Sequence, residues 1–255
     1  MRKKILSLCL MVLILTMLTG CDSSKYKEAT KLFNAGNYAE AQAIFEELGD
    51  YEDSSNYVVD CKIKIAESLV ENKEFQEAIN IYSELNDESK VSAAKRAWLA
   101  DYIETNGTAH ADGYQITKNQ GDQTISLVAA ESNRFKIIIK QDNDVGFNEI
   151  IVTLMPETST GFVQHEREVS FTFLGRTAYS KESGSCEIDL SDFDSSTTLN
   201  YNDFSAIGTA AQDMDSVSFA QSTMEFINGS KYAVTQMLKE TNIGITLSDL
   251  GFTSY

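Results

Sequence analysis

The spacing of apolar residues changes several times along this chain of 255 residues. A predominantly apolar run spans Ile5 to Leu18, directly after the basic residues 2–4. From about residue 26 to 104, apolar residues recur every three or four positions, a period that predicts helices. After Asn106-Gly107 the period becomes two, which predicts strands, and a helical period returns from about residue 215 to 240.

This order of periods predicts the fold class and the domains. We expect a multidomain protein of class α plus α+β, in which N-terminal helical hairpin repeats precede a mostly antiparallel, β-rich domain with a C-terminal helix. Val169, Phe171 and Phe173 alternate onto one face of a predicted strand, and burial of one face is typical of antiparallel sheets. The predicted domains are a signal peptide (1–20), a tether (21–25), a helical domain (26–104) and the β-rich domain (106–255).

The predicted helical domain contains an internal repeat with an offset of 37 residues. Each unit has a helical run, a break near Gly36 or Lys73 and a second helical run, which predicts two helix–turn–helix hairpins. A last helix, from Ser89 to Thr105, is expected to cap them, with Trp98 in its core. The paired positions include Ala29/Ala66, Leu32/Leu69, Tyr38/Phe75, Ala41/Ala78, Ile44/Ile81, Phe45/Tyr82 and Leu48/Leu85.

The stretch GNYAEAQAIF, from Gly36 to Phe45, resembles the second half of a tetratricopeptide repeat. In that motif a small alanine lets two helices cross closely, and an aromatic residue fills the space beside it. The resemblance covers about residues 26–99 and implies a helical binding module. The chain departs from the motif because its period is longer than the usual 34 or so residues, Lys73 replaces the turn glycine, and the terminal proline is missing.

The apolar run near the N-terminus has the layout of a secretory signal, with a basic start, an apolar core and a small-residue exit. Its core is shorter than the roughly twenty residues of a spanning helix, so a permanent transmembrane helix is the weaker interpretation. The tetrapeptide Leu18-Thr19-Gly20-Cys21 resembles the lipobox of bacterial lipoprotein precursors. The resemblance implies that Cys21 becomes the lipidated N-terminus; the alternative is an ordinary signal peptide whose cysteine is incidental.

The charge of the chain restricts its partners. The formal charge is −17 at pH 7, and removal of Arg2, Lys3 and Lys4 with the leader lowers it by three, to −20. So acidic a surface is repelled by nucleic acid and by anionic lipid headgroups. We therefore expect no nucleic-acid partner. The expected partners are the membrane, through the N-terminal lipid, and a protein of the cell envelope.

Residues suited to catalysis or metal binding are few. His110 and His165 do not lie in a metal-ligand spacing, and no phosphate-binding glycine loop occurs, so we expect no metal, no cofactor and no enzyme activity. His165, in the polar stretch QHERE, is interpreted as solvent-exposed.

Cys186 alternates with apolar residues and is interpreted as a buried, inert thiol; a nucleophilic pair with His165 is the alternative. Cys61 and Cys186 are either two free thiols or a disulfide.

The sequence favours binding over catalysis. We expect a lipoprotein anchored to the outer face of the bacterial cytoplasmic membrane, which acts as a protein-interaction or scaffolding module. Exposed polar positions on the first helix of each predicted hairpin are candidates for partner contact, namely Lys31, Asn34, Glu67 and Glu71. Two alternatives remain open. The helices serve only as a spacer, or the β-rich domain holds a small molecule or glycan between its sheet and the terminal helix.

Overall fold

A computed structural model describes residues 22–131, 134–143, 146–194, 196–209 and 215–252. The chain forms two compact units, of which the first ends at Val91 and the second begins at Ser92. The expected signal peptide and Cys21 lie outside the described residues. Of the helices that are described, none combines the length and the apolar content needed to cross a bilayer.

The first unit is helical. Its elements are α1 (residues 22–34), α2 (Tyr38–Leu48), α3 (Ser54–Glu71), α4 (Phe75–Glu84) and the beginning of α5 (Glu88–Asn106). Ala29 of α1 and Ala41 of α2 are fully buried in one cluster with Phe45 and Cys61. Because an alanine side chain ends at Cβ, helices can pack closely at these positions. The ring of Tyr57 stacks on Phe45, with 4.6 Å between the ring centroids, and extends the cluster along α3.

Short turns with left-handed backbone connect the helices. Gly36, between α1 and α2, has a φ of +83°, and Lys73, between α3 and α4, has a φ of +63°. In the first turn the N–H of Asn37 donates to the carbonyl oxygen of Leu32 over 2.9 Å. In the second turn the N–H of Glu74 donates to the carbonyl oxygen of Leu69 over 2.8 Å. These bonds satisfy carbonyl groups that the end of a helix leaves without a partner.

The second unit is built on an eight-stranded sheet. Every neighbouring pair of its strands is antiparallel, and the order of the strands in the sheet follows the chain. Each connection is therefore a hairpin or a local loop. The strands are β1 (Thr108–His110), β2 (Gly113–Gln120), β3 (Gln123–Ala130), β4 (Arg134–Asn143), β5 (Gly146–Met155), β6 (Thr160–Phe173), β7 (Arg176–Asp189) and β8 (Ser205–Gly208).

Helix α6 (Ser216–Glu240) lies on one face of this sheet and contacts β2 to β5. Asp215 caps its first turn, because the carboxylate accepts a hydrogen bond from the backbone N–H of Ser218 over 2.7 Å. Ile227 of α6 packs with inward residues of the strands, such as Ile137 and Val152, in one apolar core. The predicted order of helices, antiparallel sheet and C-terminal helix is thus confirmed.

The second half of α5 belongs to the sheet unit. Leu99 and Ile103 are fully buried in the same core as the strands, and Trp98 packs against that core. Helix α5 therefore begins in the first unit and ends in the second. The only tryptophan of the chain is a packing residue of the second unit.

Candidate functional site

An open groove in the helical unit is the first candidate site. It has a volume of ≈ 370 Å³ and lies between the α1–α2 turn and the second half of α3. Asn37, Tyr38 and Glu40 line one side, and Ile65 and Leu69 line the other. Polar and apolar groups therefore stand side by side around an accessible depression, which suits an extended peptide or an exposed side chain of a partner.

The four predicted contact residues lie near the ends of α1 and α3. Lys31 and Asn34 on α1 and Glu71 at the end of α3 are exposed. Glu67 is half-buried, and the Nζ atom of Lys64 lies 2.8 Å from its carboxylate. This hydrogen bond lowers the pKa of Glu67 below its usual value. None of the four is among the described residues that line the groove, and Glu67 is already engaged within its own unit.

A buried polar cluster connects the sheet to α6. His165 of β6 is only 1% exposed, so the interpretation of this residue as solvated is wrong. Its Nδ1 atom lies 2.7 Å from the hydroxyl of Thr223, and its Nε2 atom lies 2.5 Å from the side-chain oxygen of Asn148. The Tyr201 hydroxyl lies 2.6 Å from that of Thr223, and the imidazole stacks on Phe219 with 4.3 Å between centroids.

These distances fix the protonation of the imidazole. The oxygen of Asn148 can only accept, so the Nε2 atom of His165 carries the hydrogen and Nδ1 accepts one. The donor to Nδ1 is the hydroxyl of Thr223, which also lies 2.9 Å from the Phe219 carbonyl oxygen and accepts from Tyr201. Burial, with a smaller contribution from the nearby cation Arg167, lowers the pKa of His165 to about 3. The ring is therefore neutral at physiological pH, with both nitrogen atoms in use.

The cluster was missed because five polar residues in succession, 164–168, conceal the alternation of the strand. Val163 is fully buried and Gln164 is exposed. Since side chains two residues apart in a strand share a face, His165 faces inward with Val163. If the alternation of the strand is continued through the polar stretch, it places His165 on the buried face.

A charged pair lies beside the cluster. The Nε atom of Arg167 lies 3.0 Å from the carboxylate of Glu182, which is 1% exposed. Removing a carboxylate from water is costly unless a partner compensates it, and Arg167 supplies that partner. The guanidinium group also lies over the ring of Phe219, 5.5 Å from its centroid.

A cavity of ≈ 260 Å³ at the edge of this region is the second candidate site. Residues of β4, β5 and β6 line it together with Phe226 of α6. Asn148 and Arg167 contribute polar groups, and Phe147 and Val169 contribute apolar ones. A few convergent polar groups in an apolar wall are typical of small-molecule sites, although such sites are commonly larger, about 300–1,000 Å³.

The cysteines, and the aspartates at the end of β7 and in the loop after it, offer little reactive chemistry. Cys61 and Cys186 are buried free thiols, and burial raises the pKa of each to about 11. Since the thiolate is the nucleophile, Cys186 is inert near neutral pH, as predicted. Asp189 and Asp194 accept hydrogen bonds from serines two residues further on. Within the described part of the chain, no three His, Cys, Asp or Glu side chains are grouped so that they could hold a metal ion.

Comparisons of the chain with models of protein families, with curated proteins and with solved structures gave no match.

Proposed function

We propose that the chain is a lipoprotein on the outer face of the bacterial cytoplasmic membrane, and that its helical unit binds an envelope protein without catalysing a reaction. Membrane attachment is supported by the basic start, short apolar core and Leu18-Thr19-Gly20-Cys21 ending of the leader. Two or three acyl chains on Cys21 would make the attachment durable, since a single chain binds a bilayer only reversibly.

Replacement of the acylated residue tests the attachment. Cys21→Ser removes the thiol that receives the lipid, so a fraction of the protein should leave the membrane, and incorporation of labelled fatty acid should stop. The matched control is Cys9→Ser within the leader, which should change neither result. Full retention of Cys21→Ser in the membrane fraction would mean that the leader itself is the anchor.

We also propose that the helical unit consists of tetratricopeptide-like repeats. The offset of 37 residues relates Gly36 to Lys73 and Gly49 to Asn86, and all four have positive φ, with +57° and +55° in the second pair. Burial follows the same offset. Positions that are fully or nearly fully buried in both copies are Ala29/Ala66, Ala41/Ala78 and Phe45/Tyr82.

The groove is the observation that supports a protein partner most directly. The groove is open and lies between the α1–α2 turn and α3. Glu40 gives it a negative charge, and the whole chain has a net charge of −17. Charge complementarity therefore favours a basic segment of the partner. Lys31, Asn34 and Glu71 are exposed near the same helices and would contribute to the rim, whereas Glu67 would have to leave Lys64.

Photocrosslinking in cells tests this proposal. A photoreactive phenylalanine analogue in place of Tyr38 should capture a discrete partner, while the same analogue at Tyr232, which is 68% exposed on α6, should not. The paired substitution Glu40→Lys with Glu71→Lys should reduce the capture and its dependence on salt. Capture at position 232 but not at 38 would mean that the sheet unit recognises the partner and the helices form a stalk.

The absence of enzyme activity is part of the same proposal. It is supported by the engagement of both ring nitrogens of His165 and by the raised pKa of Cys186. A nucleophile that is protonated and a histidine that is enclosed do not form the pair that acyl transfer needs.

The cavity beside β4 to β6 supports a second candidate function, the binding of a small polar molecule. Arg167 and Asn148 would orient such a ligand against Phe226. Native mass spectrometry of the purified chain should then show a bound species of small mass. Phe226→Trp should displace it by filling the cavity, with Tyr232→Trp on the same helix as the control. A parent chain found only at its sequence mass, or a bound species that Phe226→Trp retains, would exclude this candidate.

A further inference from the structure

The turn between β6 and β7 presents a leucine to solvent. Leu174 is 88% exposed, and Leu174 and Gly175 connect the paired residues Phe173 and Arg176. Both turn residues have positive φ, +49° and +71°. Two-residue turns of this kind favour asparagine, aspartate or glycine, because other side chains are strained in a left-handed backbone. Neither burial nor backbone geometry thus favours a leucine at this position.

The hairpin extends beyond its neighbours in the sheet. Strand β5 pairs with β6 only as far as Val169, and β8 pairs with β7 only from Ser180. In the described strands, residues 170–173 and 176–179 are therefore paired only with each other. We call residues 170–179 the tip. Four residues of strand span about 13 Å at about 3.3 Å per residue, so the tip protrudes as a two-stranded ribbon.

The composition of the tip differs from that of the rest of the chain. Its sequence is SFTFLGRTAY, with no acidic residue and with Arg176 as its only charged residue, whereas Asp and Glu together number 38 in 255 residues. The hydroxyl groups of Thr172 and Thr177 lie 2.9 Å apart and bond to each other across the ribbon. Tyr179 at the base of the tip is 39% exposed, and beside it Ile207 of β8 is 64% exposed.

We propose that the tip inserts into the outer layer of a lipid bilayer, with Leu174 among the acyl chains and Arg176 at the phosphates. Aromatic residues, an aliphatic side chain and a cation are typical of segments that lie at the membrane interface. The acidic body is repelled by an anionic surface, so an acid-free protrusion is the part of the molecule that can approach one.

Fluorescence of vesicle-tethered protein tests this insertion. A chain that begins at Asp22, and so lacks Cys21, is held by an N-terminal histidine tag on vesicles of phosphatidylcholine, phosphatidylglycerol and a nickel-chelating lipid. Tethering raises the local concentration, so weak insertion is detected. In Leu174→Trp the added indole emission should shift to shorter wavelength and be quenched by brominated lipids, after subtraction of the Trp98 signal. Tyr232→Trp, another exposed position, should show neither change.

The substitution Leu174→Asn separates function from folding. Asparagine suits the left-handed turn, so its urea midpoint should equal or exceed that of the parent chain. Tethering should slow amide exchange at residues 172–177 in the parent, and this protection should fall about tenfold or more in Leu174→Asn, because burial of a leucine contributes at least that factor.

Three results would overturn the proposal: an introduced indole that remains in water, quenching that is equal at 174 and 232, or unchanged protection in Leu174→Asn. An indole that stays in water on vesicles but becomes shielded when envelope proteins are added would assign the tip to a protein partner. Because the tested chain lacks Cys21, its failure would leave lipid attachment unaffected.

Discussion

Buried His165 should make the sheet unit sensitive to mild acid. Burial lowers its pKa to about 3, whereas the unperturbed value is 6.5. The unfolded chain thus binds a proton between these values that the folded chain does not, so the free energy of unfolding falls as the pH drops below 6.5. At pH 5 the loss is about 2 kcal/mol, from about 1.4 kcal/mol for each pH unit below the unfolded pKa.

The assay is urea unfolding of the chain from Asp22 at pH 7 and pH 5, followed by the fluorescence of Trp98, which packs against the sheet core. His165→Gln removes the titrating group. It should lower stability at both pH values, because the stack on Phe219 and one of the two hydrogen bonds are lost. Between pH 7 and pH 5 the free energy of unfolding of His165→Gln should fall by about 2 kcal/mol less than that of the parent chain.

A matched variant, His110→Gln, measures separately what the other histidine contributes to the same profile. The carboxylates are common to all three proteins, so their titration cancels in the comparison. If the parent and His165→Gln lose the same free energy between pH 7 and 5, then the imidazole is not held neutral by burial. In that case Nδ1 would also carry a hydrogen, and its assignment as the acceptor of a hydrogen bond from Thr223 would be wrong.

Three further predictions concern the helical unit and the leader. Lys73→Gly should raise the free energy of unfolding by about 1 kcal/mol, measured by circular dichroism in urea, since Lys73 holds a left-handed φ of +63° that glycine adopts without strain. Ala41→Leu and Ala78→Leu should each lower it by about 1–3 kcal/mol through overpacking, because both alanines are 0% exposed; an unchanged midpoint would mean that the helices do not cross at these positions. Cys21→Ser should abolish fatty-acid labelling, as described above.

The order of the secondary structure was determined by the sequence. Periods of three to four and of two follow directly from the geometry of a helix and a strand, so the helical segment, the strands and the C-terminal helix were predictable. The inert Cys186 was predictable for the same reason, since it alternates with Ile188 and Leu190 on the buried face. The tetrapeptide Leu18-Thr19-Gly20-Cys21 lies outside the described residues, and its interpretation as a lipobox rests on the sequence alone.

The periodicity of the sequence did not reveal which elements contact each other in the folded chain. Thr223 and Asn148 reach His165 from segments 58 and 17 residues away, and no local pattern encodes such a distance. The placement of Trp98 against the sheet core was equally hidden, because a helical period identifies an apolar face but not the surface that covers it. The protruding tip also required the register, since its exposure depends on where β5 and β8 end rather than on its own residues. Sequence periodicity is local, whereas burial depends on contacts between distant segments, and the candidate sites of this protein are built from those contacts.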